Sequence, residues 1–197
     1  MSNAARSILI LNGHPDRGSK GLCHALAEAY AEGARGAGRK VERIDVATLD
    51  FGFLQSQAEF EKGKAPAAIA EVQAQIERAD HLVVVFPLWL GDIPAVLKAF
   101  FEQTLRPGFA FTNRPNGFPI MHLKGRTARV IVTMGMPAAV YRWYFRAHGL
   151  KNLKRNILGF VGFSPVRDTI VGSVGTAGQE RIRKRLDEVR ALGRDGI

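Results

Sequence analysis

The chain has almost no cysteine: Cys23 is the single thiol in 197 residues. One thiol forms no intrachain disulfide and builds no cysteine-rich metal site, which suits a reducing cytoplasm. Long apolar runs are missing too. No stretch approaches the ~20 residues of a membrane helix. The opening MSNAARSILILNGHPD is apolar only over residues 8–11, shorter than the apolar region of a signal peptide. The expectation is a retained cytoplasmic protein without membrane insertion. Acidic residues are scarce, with 18 Asp and Glu against 28 Lys and Arg and a formal net charge of +10. Such a surplus permits a polyanion, an acidic protein or a phosphorylated small molecule as partner. The cations, however, are spread over 35–43, 142–155 and 181–194, with no zinc finger, helix-turn-helix or RNA-binding aromatic motif among them. Specific nucleic-acid binding is therefore not expected, and a basic solvated surface is the simpler reading.

What is present is the composition of a packed domain. Apolar residues make up 46% and charged residues 23% of the chain, and this length buries a core without metal or disulfide staples. Residues 1–197 read as one domain, with no internal repeat and no low-complexity tract.

Apolar runs and helical periods alternate along it. SILIL (7–11) is a strand, and Leu22, Leu26, Ala29, Tyr30 and Gly33 then recur at helical spacing until Gly36 and Gly38 end the helix. KVERIDV (40–46) is a second strand. FGFLQSQAEFEKGK (51–64) has weak periodicity and reads as loop, before a helix from Pro66 with Ile69, Val72 and Ile76 on one face. HLVVVFP (81–87) shows no alternation, as expected of a strand covered on both faces. A helix opens near Pro94, a turn-rich excursion spans 106–125, ARVIVT (128–133) is a fourth strand, YRWYF is helical, a further helical segment covers 153–160, and a fifth strand near 166–174 precedes a terminal helix. Strand–helix alternation implies right-handed crossovers and an α/β sandwich of three layers. Five strands suggest a flavodoxin-like parallel sheet of order 2-1-3-4-5, although periodicity does not fix that order. Ligands of such sheets sit beyond the strands' carboxyl ends, at the switch between strands one and three.

Three loops emerge there. In NGHPDRGSKGLCHAL (12–26), glycines, Ser19 and Lys20 precede a helix, a natural phosphate cradle. Gly13 to Gly18 has the interval of a nucleotide-triphosphatase loop, but Ser19-Lys20 inverts the required order and no Asp ends the third strand. The glycine spacing of a dinucleotide fold is absent as well. His14 either donates to a phosphate or caps a neighbour. Trp89 and Leu90, after the third strand, either wall a flat ring or plug the sheet end. Asp92 is read as a helix cap. Gly135 and Met136 offer amides to a developing negative charge or form an ordinary turn. Tyr141 and His148 are candidate proton carriers, with packing as the alternative for Tyr141.

Together, GHPDRGSKGLCHAL, FPLWLGDIPAVLKAFFEQTLRPGFAF and TMGMPAAVY resemble the flavodoxin-like NAD(P)H:quinone oxidoreductases, a family that includes ancillary quinone reductases of potassium-efflux systems. The resemblance spans nearly the whole chain. It implies a flavoenzyme in which His14, Ser19, Lys20 and Gly21 surround the flavin phosphate and Pro87, Leu88, Trp89 and Leu90 lie along the ring. Thr133, Gly135, Met136 and Tyr141 complete the cofactor site, and Tyr141 and His148 are the catalytic candidates. It also implies ping-pong transfer from NADH or NADPH to a quinone or other small aromatic acceptor, FMN as cofactor with FAD as the alternative, and a homodimer to which Phe109, Phe111 and Phe118 contribute. The chain departs from the family at Leu90, often aromatic, at Met134-Gly135-Met136, and at His148, one residue farther from Tyr141 than usual. Competing expectations are a non-catalytic flavin-binding subunit of a transporter, a nitro or azo reductase, and a polyanion-binding protein.

Overall fold

The computed structural model describes residues 7–18 and 20–197. Its sheet has five parallel strands: β1 (Ser7–Asn12), β2 (Lys40–Asp45), β3 (His81–Pro87), β4 (Thr127–Thr133) and β5 (Val166–Val171), in spatial order β2-β1-β3-β4-β5. The expected order is therefore the observed one. The register aligns Asn12 with Asp45 and Val85, Pro87 with Thr133, and Thr133 with Val171. The carboxyl ends of all five strands thus lie along one edge.

Side-chain alternation splits the core between the two faces. Ile8, Ile10, Val83, Val85 and Ile131 pack under α1 (Leu22–Gly36) together with Leu26, Tyr30 and Val189. Leu9, Leu11, Val84, Phe86, Val130 and Val132 pack on the other face against α2 (Ala67–Arg78), α3 (Ala95–Thr104) and α4, a helical run over 148–161 whose middle, Leu153–Leu158, is π-helical. The closing helix α5 (Gln179–Asp195) lies beside α1. Each strand of the interior is buried on both faces, which accounts for the unbroken valine run of β3.

The two helices on the first face meet through glycines. A Cβ on Gly33 would stand 1.9 Å from the Arg190 carbonyl oxygen, and one on Gly193 would stand 2.1 Å from that of Tyr30. Backbones can approach this closely only where no side chain intervenes.

Two segments differ from the sequence reading. Residues 57–62, read as loop, form a short helix, Gln57–Lys62. Ser56 accepts from the Glu59 amide at 3.1 Å, and the Glu59 carboxylate reaches back to the Gln55 amide at 2.8 Å, a variant of the capping box that outweighs the weak periodicity. The excursion at 106–125 contains a two-residue antiparallel pairing of Phe111–Thr112 with Ile120–Met121. Within it Phe111 is buried against Phe160 and Phe109 packs on the core, so only Phe118, 90% exposed, remains free for contact with another molecule.

Candidate active site

The first loop is tied to both neighbouring strands. Asn12, buried at the end of β1, donates through Nδ2 to Asp45 Oδ1 at 2.7 Å and accepts from the His14 amide at 3.3 Å. Asp45 also takes a bond from Arg43, whose guanidinium holds Glu28 at 3.0 Å and meets His24 Nδ1 at 2.6 Å. Burial alone would raise the Asp45 pKa, but the hydrogen bonds from Asn12 and Arg43 outweigh it and hold the carboxylate below its usual range. Gly13 donates to the Val85 carbonyl at 2.7 Å, pinning the loop to β3. A Cβ there would stand 2.6 Å from the buried side chain of Leu97.

His14 accepts from the Asp16 amide through Nδ1 at 3.2 Å. In a neutral ring that leaves the proton on Nε2, which is then a donor. Lys20 and Gly21, farther along the same loop, are exposed, and Gly21 is the N-cap of α1, whose first turn contains no acidic residue. Ser19 lies outside the described residues. This end of α1 carries the positive end of the helix dipole with no carboxylate of its own to neutralise it.

The second loop is a tight hairpin. Trp89 and Asp92 exchange two backbone hydrogen bonds at 3.0 Å around Leu90 (φ 49°) and Gly91 (φ 84°). Two successive left-handed residues make a type I′ turn, natural for glycine and strained for leucine. Leu90 points wholly into solvent, and Trp89 is about half exposed with its ring 6.4 Å from that of His14 in an edge-on arrangement. The first two loops therefore meet at the switch point. Pro87 and Leu88 are half-buried, and the Leu88 amide donates to the Thr133 carbonyl at 2.8 Å. Asp92 does not cap α3: the N-cap is Pro94, and Asp92 Oδ1 accepts from the adjoining Ile93 amide at 2.8 Å.

In the third loop Thr133 is buried with its hydroxyl 3.3 Å from Cys23 Sγ, Gly135 is exposed and Met136 is half-buried. Burial pushes the Cys23 thiol up to about 11, so it stays protonated and unreactive at neutral pH. Beyond the loop, Val140–Tyr144 is a π-helical turn, followed by Arg146 (φ 55°) and Ala147 (φ 50°), again left-handed without glycine. The Ala147 amide closes this reversal on the Tyr141 carbonyl at 3.0 Å. Its effect is to bring Tyr141 and His148 to the same side.

Both line an open cavity of about 460 Å³ together with Leu90, Gly91, Met136 and Phe145. Tyr141 is 1% exposed, and its Oη accepts from the Leu150 amide at 3.1 Å. Burial raises its pKa above the ordinary tyrosine value; the Leu150 bond opposes this and the Asp92 charge reinforces it. Its hydroxyl therefore keeps its proton at neutral pH and is a donor. His148 is exposed. Gly149 lets α4 close against the hairpin, since a Cβ there would stand 2.4 Å from the Gly91 carbonyl oxygen.

Of the residues singled out from sequence, the structure gathers Leu90, Met136, Tyr141 and His148 around one cavity, with His14 and Trp89 in contact beside it. The sequence reading missed Asn12, Phe145 and Gly149. A polar residue ending an apolar strand was the available signal for Asn12; the other two depend on the reversal at 146–147, for which no local pattern exists. A second, apolar cavity of about 320 Å³ lies between α3 and α4, lined by Phe60, Phe101, Phe111 and Phe160 and edged by the Lys98–Glu102 ion pair.

Residues 6–192 match the family described by a flavodoxin-like fold. The chain belongs to that family. Among flavodoxin-like proteins, it is 27% identical over 222 residues to NAD(P)H dehydrogenase [quinone] 1 of Rattus norvegicus, covering 94% of this chain and 78% of the relative. It is 29% identical over 208 residues to an FMN-dependent NADH:quinone oxidoreductase of Nitratidesulfovibrio vulgaris, covering 95% and 97%. The structure of the NAD(P)H:quinone oxidoreductase from Methanothermobacter marburgensis superposes with a TM-score of 0.81 at 27% identity over 98% of this chain and all of the other.

Proposed function

We propose that this flavodoxin-like chain is an FMN-dependent NAD(P)H oxidoreductase that reduces quinones, with donor and acceptor using one cavity in turn. The observation that carries the reading is the cavity lined by Leu90, Gly91, Met136, Tyr141, Phe145 and His148 at the switch-point edge, where open α/β sheets take their ligands. The relatives named above are quinone reductases over nearly the full length of this chain.

The residues fit a flavin mononucleotide. His14 Nε2–H, Lys20 and the amide end of α1 form a cationic, donor-rich cradle for a terminal phosphate, and no carboxylate stands in that first turn. Trp89 and Leu90 offer apolar surface to a flat ring, and the exposed Gly135 leaves its backbone open to the ring's polar edge. FMN, when bound, supplies the hydride-accepting and electron-releasing chemistry that the side chains lack. The chain's part is to bind, to exclude water and to move a proton. Tyr141 holds its proton on a buried hydroxyl and donates it toward an acceptor oxygen in the cavity, while exposed His148 exchanges protons with solvent.

The first experiment is the visible spectrum of the purified protein after reconstitution with FMN or FAD and removal of free flavin, followed by anaerobic NADH or NADPH. Retained FMN bands that bleach on adding nucleotide are the expected result. Retention without bleaching replaces the reductase with a non-catalytic flavin-binding protein, and failure to retain either flavin overturns the site. A panel of quinones and azo dyes then ranks the acceptors.

A further inference from the structure

Back to back with the proposed substrate cavity lies a second cleft of about 370 Å³, lined by Arg142, Trp143, Ala147, Leu150, Lys151, Lys154, Arg155 and Asp168. The segment 141–151 separates the two. Tyr141, Phe145 and His148 face the first cavity, while Arg142, Trp143, Ala147 and Lys151 face the second. The cleft sets four cations against one carboxylate. Asp168 is already shared by Arg142, at 2.9 Å, and Lys154. Lys151 and Arg155 are exposed and form no ion pair among the described residues. Holding two long cationic side chains unneutralised at the mouth of a concave site favours an anionic ligand, and a guanidinium beside an ammonium suits a phosphate monoester. Beside them Trp143 is 78% exposed, a flat apolar surface with the indole's preference for stacking.

We propose that this cleft binds the adenosine 2′-phosphate end of the hydride donor, so that the enzyme selects NADPH over NADH. The inference rests on the reductase reading and goes beyond it by naming the donor. The nicotinamide would enter the cavity of Tyr141 and His148 while the dinucleotide passes over the 141–151 segment, setting the purine on Trp143 and the 2′-phosphate between Lys151 and Arg155. NADH lacks that phosphate, a group carrying close to two negative charges at neutral pH. It therefore gains nothing from the two unpaired cations.

The test uses the flavin-loaded protein and calorimetric titration with adenosine 2′,5′-bisphosphate and adenosine 5′-phosphate, neither of which transfers hydride. The bisphosphate is expected to bind about tenfold more tightly than the monophosphate, and the Lys151→Ala/Arg155→Ala double variant to abolish that advantage. In steady-state assays the same variant is expected to raise the KM for NADPH about tenfold relative to that for NADH, with little change in kcat. Equal binding of the two nucleotides, an unchanged NADPH preference in the variant, or displacement of the bisphosphate by an equal concentration of inorganic phosphate overturns the proposal; the last marks a general anion site. Absence of bleaching by either donor defeats the reductase reading separately, and the titration still decides the cleft.

Discussion

Leu90 carries two costs at once: a left-handed backbone at φ 49° and a side chain fully in solvent. Such a conformation costs a non-glycine residue on the order of 1 kcal/mol, and an exposed leucine recovers none of it by burial in the isolated chain. Its retention at the rim of the cavity is explained if the side chain is covered when a ligand or a second chain is present. Leu90→Gly removes the backbone strain and the apolar surface together. The expected outcome is a ligand-free protein as stable as the parent or up to ~1 kcal/mol more so by urea titration, together with weaker flavin retention after gel filtration. Loss of stability with unchanged flavin retention would show instead that Leu90 serves the fold. The contrast with Tyr141 is instructive. The sequence reads tyrosine at 141 as a proton carrier or as packing, and the structure places it buried and yet lining the cavity.

At the scale of elements, strand and helix order was legible because burial on both faces writes itself as unbroken apolar runs, and helix faces as a period. The helix at 57–62 was missed although Ser56 and Glu59 stand at capping-box spacing, because six residues are too few to show a period. Contacts between elements left no comparable mark. Gly33 and Gly193, 160 positions apart, reveal their pairing only when α1 and α5 are laid together. Gly33→Ala forces a methyl group against the Arg190 carbonyl and is expected to cost about 3 kcal/mol, read as a fall in urea midpoint with an unchanged slope. A neutral substitution would refute the close crossing. Asp168 joins β5 to the 142–154 region through Arg142 and Lys154, whose bonds outweigh the upward push of burial and keep its pKa below the usual carboxylate value. A depressed native pKa gives stability that is present above the unfolded value, near 3.9, and is lost as pH falls through the native one. Asp168→Asn should therefore cost about 2 kcal/mol at pH 7. That difference should shrink below pH ~4; one that stays constant to pH 2 would place the cost elsewhere.

For the whole molecule, the fold carries the three loops to one edge, and that much followed from strand order. Which side chains face one another across that edge did not, because Asn12 depends on Asp45 from the next strand and His148 on a left-handed reversal at Arg146 and Ala147. That edge leaves Leu90 and Tyr144 (79% exposed) uncovered, and Phe118 (90% exposed) is uncovered on the excursion that leads into the start of β4. Leu90 and Tyr144 stand in the hairpin after β3 and the turn after β4, loops that build the site, whereas the excursion bearing Phe118 joins α3 to the start of β4. Single exposed apolar residues are ordinary on a monomer, whereas several of this size in functional loops are the pattern of an interface. A homodimer in which each chain completes the other's cavity would cover them, and Phe118 is the residue of the excursion left free to reach across. Sedimentation at micromolar concentration is expected to return twice the chain mass. Phe118→Asp, which places a charge in that contact while leaving the core untouched, is expected to shift the mass toward one chain and to weaken flavin retention in parallel. A wild-type protein that sediments as a monomer, or a monomeric variant that still holds flavin as tightly, would mean that each chain builds its site alone.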